Sequence, residues 1–200
     1  MPIIAKSSGG ERNPVAPGVH IATCIKVIDL GMQYSQAFNV TQRKVMLTWE
    51  VHGDTIIVDG EEKPKLISKE YTLSLGERAK LRAHLDAWRG RAFTEQELMG
   101  FDLKNVLGCA CQLQVMHNEK GYDSVNAVLA MPKGMTAPQQ VHDSVYFDLS
   151  EKSSLSMLST LPRWMQEKIM LSPEYRELSG ESNYVSHDEE MPPYNDGFPF

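Results

Sequence analysis

Ile67-Ser68-Lys69-Glu70-Tyr71-Thr72-Leu73-Ser74-Leu75-Gly76-Glu77-Arg78-Ala79-Lys80-Leu81-Arg82-Ala83-His84-Leu85-Asp86-Ala87-Trp88-Arg89-Gly90 changes its hydrophobic period part-way along. Ile67, Lys69, Tyr71 and Leu73 alternate with Ser68, Glu70 and Thr72, the period of a half-buried strand. Ser74 and Glu77 have capping-box spacing, which predicts a helix opening there and running to about Arg89. Leu81, Leu85 and Trp88 share one face of it, and Gly90 is placed to end it.

Toward the N-terminus, Val19, Ile21, Thr23, Ile25 and Val27 alternate with polar or small residues, as do Val45, Leu47, Trp49 and Val51. Two strands follow, separated by a long loop over residues 29–42 and joined to the third strand by a polar connection over 54–65. Toward the C-terminus, Thr94 and Glu97 form a second capping box before a short helical turn. Residues 109–117 alternate again, Asn118-Glu119-Lys120-Gly121 makes a tight turn, and Val125, Ala127, Leu129 and Met131 form a last strand. The order β-β-β-α-β-β over residues 18–132 predicts a mainly β domain, a five-stranded OB-fold barrel. In that class the face of strands two and three, with two loops, commonly receives oligonucleotides. Residues 1–17 lack periodicity and read as a flexible segment. Residues 133–176 read as a loop followed by a helical appendage, in which Pro162 and Pro173 suit first turns of helices.

Residues 177–200 hold Glu177, Glu181, Asp188, Glu189, Glu190 and Asp196 with no Lys or Arg, so they carry the whole net charge of −6 and leave the body neutral. An acidic stretch with prolines and few aliphatics is expected to be a disordered tail. No run approaches the ~20 apolar residues of a membrane helix, and no targeting peptide is visible, so a soluble cytoplasmic protein is expected. Cys24, Cys109, Cys111 and His117 lack the C-x2-C spacing of structural zinc sites, and reduced thiols with no metal and no cofactor are expected. Nucleophile elbows, phosphate loops and H-E-x-x-H motifs are missing too, which points away from an enzyme.

Binding a single strand needs cations for phosphates and flat side chains for unpaired bases. Tyr34, Phe38, Arg43 and Lys44 of the first loop and second strand qualify, as do Lys69 and Tyr71 of the third strand. Trp88, Arg89 and Arg91 at the helix end and Lys120 and Tyr122 at the last turn complete the set. Periodicity favours core packing for Trp49 and Trp88, leaves Tyr71 open between the two roles, and gives Tyr34 and Phe38 no core position.

The ending Asp196-Gly197-Phe198-Pro199-Phe200 resembles the acidic C-terminal tip of bacterial and phage single-stranded-DNA-binding proteins, which ends in Pro-Phe and recruits replication and repair proteins. Tyr71-Thr72-Leu73-Ser74-Leu75, Leu81-Arg82, Trp88-Arg89-Gly90-Arg91 with Phe93-Thr94, Leu161-Pro162 with Trp164, and Ser172-Pro173-Glu174-Tyr175 resemble small phage proteins proposed to bind single-stranded DNA. The resemblance implies binding and protection of single-stranded DNA in phage replication or recombination, in the host cytoplasm. It also implies that Asp196, Phe198, Pro199 and Phe200 hold a partner protein. This tail is less densely acidic than the bacterial pattern, and Gly197 directly follows Asp196. A homo-oligomer is compatible with the sequence. Two other readings stand beside this one: a module that recruits or inhibits a host enzyme without touching DNA, and a nuclease or other enzyme.

Overall fold

A computed structural model describes residues 13–36 and 38–180. Its centre is a mainly antiparallel six-stranded sheet formed by β1 (Gly18–Ser35), β2 (Val40–Val58), β3 (Glu61–Thr72), β4 (Ala110–His117), β5 (Asp123–Leu129) and β6 (Val145–Phe147). The order is β3-β2-β1-β4-β5, and β6 pairs parallel to β1 along Lys26–Ile28. Helix α1 (Lys80–Arg89) lies between β3 and β4 in sequence, and α2 (Glu95–Leu98), α3 (Arg163–Met170) and α4 (Pro173–Ser179) follow.

Both connections expected among the first three strands are ladder instead. β1 and β2 pair as far as Ser35 and Val40, and β2 and β3 pair as far as Val58 and Glu61. Asp59 and Gly60 both have positive φ, 54° and 83°, as a two-residue turn matched to strand twist demands. Each stretch carries a register shift, one between Asp29 and Gly31, which pairs with Lys44, and one between Val51 and Thr55, which spans Gly53. A bulge absorbs a left-handed residue without ending the strand. At Gly31 (φ 69°) a β-carbon would also meet Ser172 at 2.5 Å, so the bulge lets α4 close on β1.

The helix starts later than the Ser74–Glu77 spacing suggested. Ser74 Oγ accepts from the Gly76 amide (3.2 Å), while Ala79 precedes α1 with no side-chain cap. The second box forms as expected: the Glu97 amide donates to Thr94 Oγ1 (3.3 Å) and the Thr94 amide to Glu97 Oε2 (2.9 Å). Gly90 ends α1 in the left-handed conformation.

No backbone ladder joins β3 to β5, so the sheet is not closed into the expected five-stranded barrel. Side chains bridge that gap. Lys69 Nζ of β3 donates to the Val125 carbonyl of β5 (2.7 Å). His84 of α1 accepts from the Tyr71 hydroxyl (2.8 Å) and donates to the Asn126 carbonyl (3.1 Å). Burial, then Lys80 and Lys69, bring the His84 pKa down to about 4, so this link is a neutral imidazole.

One core lies beneath α1 and contains Val45, Leu47, Trp49, Val51, Ile67, Tyr71, Leu81, Leu85 and Trp88. A second core lies on the opposite face, where Ile28, Leu30 and Met46 meet Phe147, Leu149, Leu158, Leu161, Met165 and Ile169. The appendage over 133–176 therefore folds back onto the sheet and contributes a strand to it. Residues 13–17 also belong to the fold rather than to a flexible segment: Val15 is buried, and its amide donates to Asp123 Oδ2 (2.9 Å). Residues 1–12 and 181–200 lie outside the described residues, and no described helix is long and apolar enough to cross a membrane.

Candidate nucleic-acid interface

The long β1–β2 hairpin carries its aromatics outward. Tyr34 is 61% and Phe38 78% exposed, and the Tyr34 hydroxyl donates to Asn39 Oδ1 (2.8 Å), which orients the ring at the tip. A few residues along β2, Gln42 pairs with Gln33 of β1 and Lys44 with Thr72 of β3. There a hollow of about 360 Å³ is lined by Gln42, Thr72, Ser74, Glu77, Arg78 and Lys80 among others. Lys44 Nζ reaches its edge, donating to Thr72 Oγ1 (2.7 Å) and Gln42 Oε1 (3.2 Å). Lys69 and Lys80 are close enough that Lys80 helps lower the Lys69 pKa, after burial, which contributes most.

Other expected contacts are already engaged. Tyr71 and Trp88 are core residues: Tyr71 is 3% exposed and Trp88 is 7% exposed with its indole N–H on the Ala110 carbonyl (2.9 Å), so neither ring can receive a base. Arg43 is paired with Asp29. Arg89 and Arg91 converge on Glu97, and these hydrogen bonds, Arg91's first, hold that carboxyl far below its usual range. The face of β2 and β3 favoured for oligonucleotides is largely occupied: Met46 is in the second core, residues 141–142 cover Glu50, and Lys168 pairs with Glu70.

Compared with models of protein families and with curated proteins, this chain matches none.

Lys120 and the 44%-exposed Tyr122 sit at the β4–β5 turn, beside Asn13, Pro14 and Leu66. The register pairs Gly18 with Val115 and Ser35 with Val40, so that turn and the aromatic hairpin lie at opposite ends of β1. The expected residues thus divide: Lys44 reaches the hollow, Tyr34 and Phe38 lie at the tip of the hairpin whose β2 strand runs into it, and Lys69 is tied to β5. Arg78, Lys80, Gln42 and Thr72 were not among the candidates. The one signal for them was cationic Arg78-Ala79-Lys80 just ahead of a helix, which reads equally well as a solvated face. The tip residues Asp196, Phe198, Pro199 and Phe200 lie outside the described residues.

Proposed function

We propose that this chain is a non-catalytic single-stranded-DNA-binding protein of the OB class, acting in DNA replication or recombination. Its DNA path starts at the β1–β2 hairpin and crosses the Gln42–Lys80 hollow. The observation that carries this is that Lys44, Arg78 and Lys80 meet at this hollow while none of them forms an ion pair among the described residues. Unneutralised cations beside exposed aromatic rings are what a phosphate backbone with unstacked bases requires. The strand order and helix placement support the class, with side chains rather than a ladder closing β3 onto β5.

Fluorescence anisotropy with single-stranded and duplex DNA of equal length tests this reading. The single strand should bind more tightly, and Tyr34→Ala with Phe38→Ala should weaken it by about 1–3 kcal/mol for each base that loses a stack. Equal affinity for the duplex, or no effect of the paired substitution, counts against it. A second reading, a protein-interaction module that leaves DNA alone, draws on the internal neutralisation of Arg43, Arg89 and Arg91.

Residues 181–200 carry five acids and no Lys or Arg, and they are the proposed recruitment segment for replication or recombination proteins. Like charge keeps such a segment off phosphates. Deleting residues 181–200 is expected to leave single-strand affinity unchanged or slightly raised and to abolish co-purification of a replication partner. Loss of DNA binding on that deletion would mean the segment is part of the binding surface.

A further inference from the structure

Of the three tryptophans in this chain, Trp49 and Trp88 are buried in the first core, whereas Trp164 of α3 is 52% exposed. Trp is highly buried on average, so an indole left in solvent on a packed helix marks a contact surface. Helix α3 seats Met165 and Ile169 in the second core. Lys168, four residues after Trp164 and on the same flank of the helix, pairs with Glu70 of β3. The flank that carries Trp164 is therefore the one turned toward β3. It adjoins the cationic hollow. Gln33 Nε2 donates to the Lys168 carbonyl (2.9 Å), and Gln33 pairs in the ladder with Gln42, which lines the hollow. Glu70 lies two residues before Thr72, another lining residue, on the same face of β3. Trp164 stands four residues, or about 6 Å of helix, from Lys168.

We propose that Trp164 is a stacking platform for an unpaired base where the bound strand leaves the hollow. This rests on the single-strand reading above and extends its path onto α3. The helix that covers part of the β2–β3 face thereby returns a flat ring to it. The surroundings favour a base over a protein partner. Glu167 and Lys168 separate Trp164 from Leu171, the exposed apolar side chain seven residues on, so the helix offers no continuous apolar patch of the kind a protein interface has at its centre. One ring suffices for a base, which stacks through its π-face whatever its identity. Arg163 beside it is held only by an exposed pair with Glu167 (3.0 Å), which leaves the guanidinium able to meet the adjoining phosphate.

The full chain carries its own probe, since Trp164 is the one tryptophan open to solvent. Saturating oligothymidylate should quench the tryptophan emission. Trp164→Phe should remove that quench yet hold affinity within about three-fold, because a phenyl ring still offers a face to stack on. Trp164→Ala should weaken oligothymidylate binding about ten-fold by loss of the stack, at an unchanged thermal midpoint. An abasic oligonucleotide with the same number of phosphates should bind the parent and Trp164→Ala equally. Oligothymidylate that binds by anisotropy without quenching, parent affinity in Trp164→Ala, or an equal loss for the abasic strand overturns the platform and leaves the single-strand reading standing. Loss of affinity together with dissociation of a parent dimer in sedimentation assigns the ring to a contact between copies and overturns the platform too. Failure of the parent chain to bind oligothymidylate overturns both.

Discussion

Replacing Glu50 by Ala is expected to lower the free energy of unfolding by about 3–5 kcal/mol, the cost of removing one partner from a buried charged network. Glu50 lies in the middle of β2 and is fully buried. Its carboxylate accepts from the Val141 amide (3.0 and 3.2 Å), the His142 amide (2.7 Å) and His142 Nδ1 (2.6 Å), and His52 Nδ1 lies 3.7 Å away. These bonds clasp the chain after β5 to the sheet just before it enters β6 and the second core. Without the carboxylate two backbone donors and an imidazole are left facing a void, so residues 133–144 should gain hydrogen exchange before the sheet does. Burial pushes the Glu50 carboxyl up, but the His142 and Val141 hydrogen bonds outweigh it and hold the group below its usual range. A carboxyl depressed in the folded state binds fewer protons there than in the unfolded chain, so stability rises with pH across the carboxylate range. The contribution is full above the unfolded value of 4.5 and is lost as pH falls through the lower folded value. Urea midpoints of the parent and Glu50→Ala should therefore converge in acid. Midpoints that stay parallel down to acid pH would show that the clasp does not depend on ionised Glu50.

Glu50 also shows where the sequence stops being legible. Strand alternation put it with Lys44, Met46 and Thr48 on the side of β2 away from Trp49, which reads as a solvated face. It is buried because a segment 91 residues later returns to cover it, and local periodicity holds no information about so distant a neighbour. The same segment contributes β6, three residues long and too short to show any period. The period did speak correctly about Trp49, Trp88, Leu81 and Leu85, all buried on the faces it assigned. Ser74 shows the opposite failure: the spacing to Glu77 is right, but Leu75 packs toward the first core and Ala79 turns back onto the Gly76 carbonyl, so helix begins only at Lys80. For the candidate interface, exposure of Tyr34 and Phe38 is legible because they fall in a stretch with no apolar period. Neutralisation of Arg89 and Arg91 was not, since Glu97 had been read as a cap and its second role depends on how the chain turns after Gly90.

Replacing Lys44, Arg78 and Lys80 together by Ala is expected to weaken single-strand binding by about 100-fold near 0.1 M salt, because each phosphate contact on a single strand contributes about 0.7 to the salt exponent. The slope of log affinity against log salt should fall by about 2 for the same reason. Lys69 is spared because its ammonium also ties β3 to the Val125 carbonyl of β5, and its loss would mix a folding defect with a binding one. The three chosen side chains form no ion pair among the described residues, and Lys44 gives up only neutral oxygens, so the thermal midpoint should hardly move. Arg91→Ala is the control that removes one cation already paired within the fold. Its guanidinium is already matched by Glu97 (2.7 Å), so removing it alone should change affinity less than about two-fold, as for an exposed pair that offers little net charge to a ligand. If Arg91→Ala lowers log affinity by about a third of the loss seen in the triple variant, affinity follows net charge rather than this hollow. If the triple variant keeps the parent slope, the cations are a solvated face and the reading that survives is a protein-interaction module.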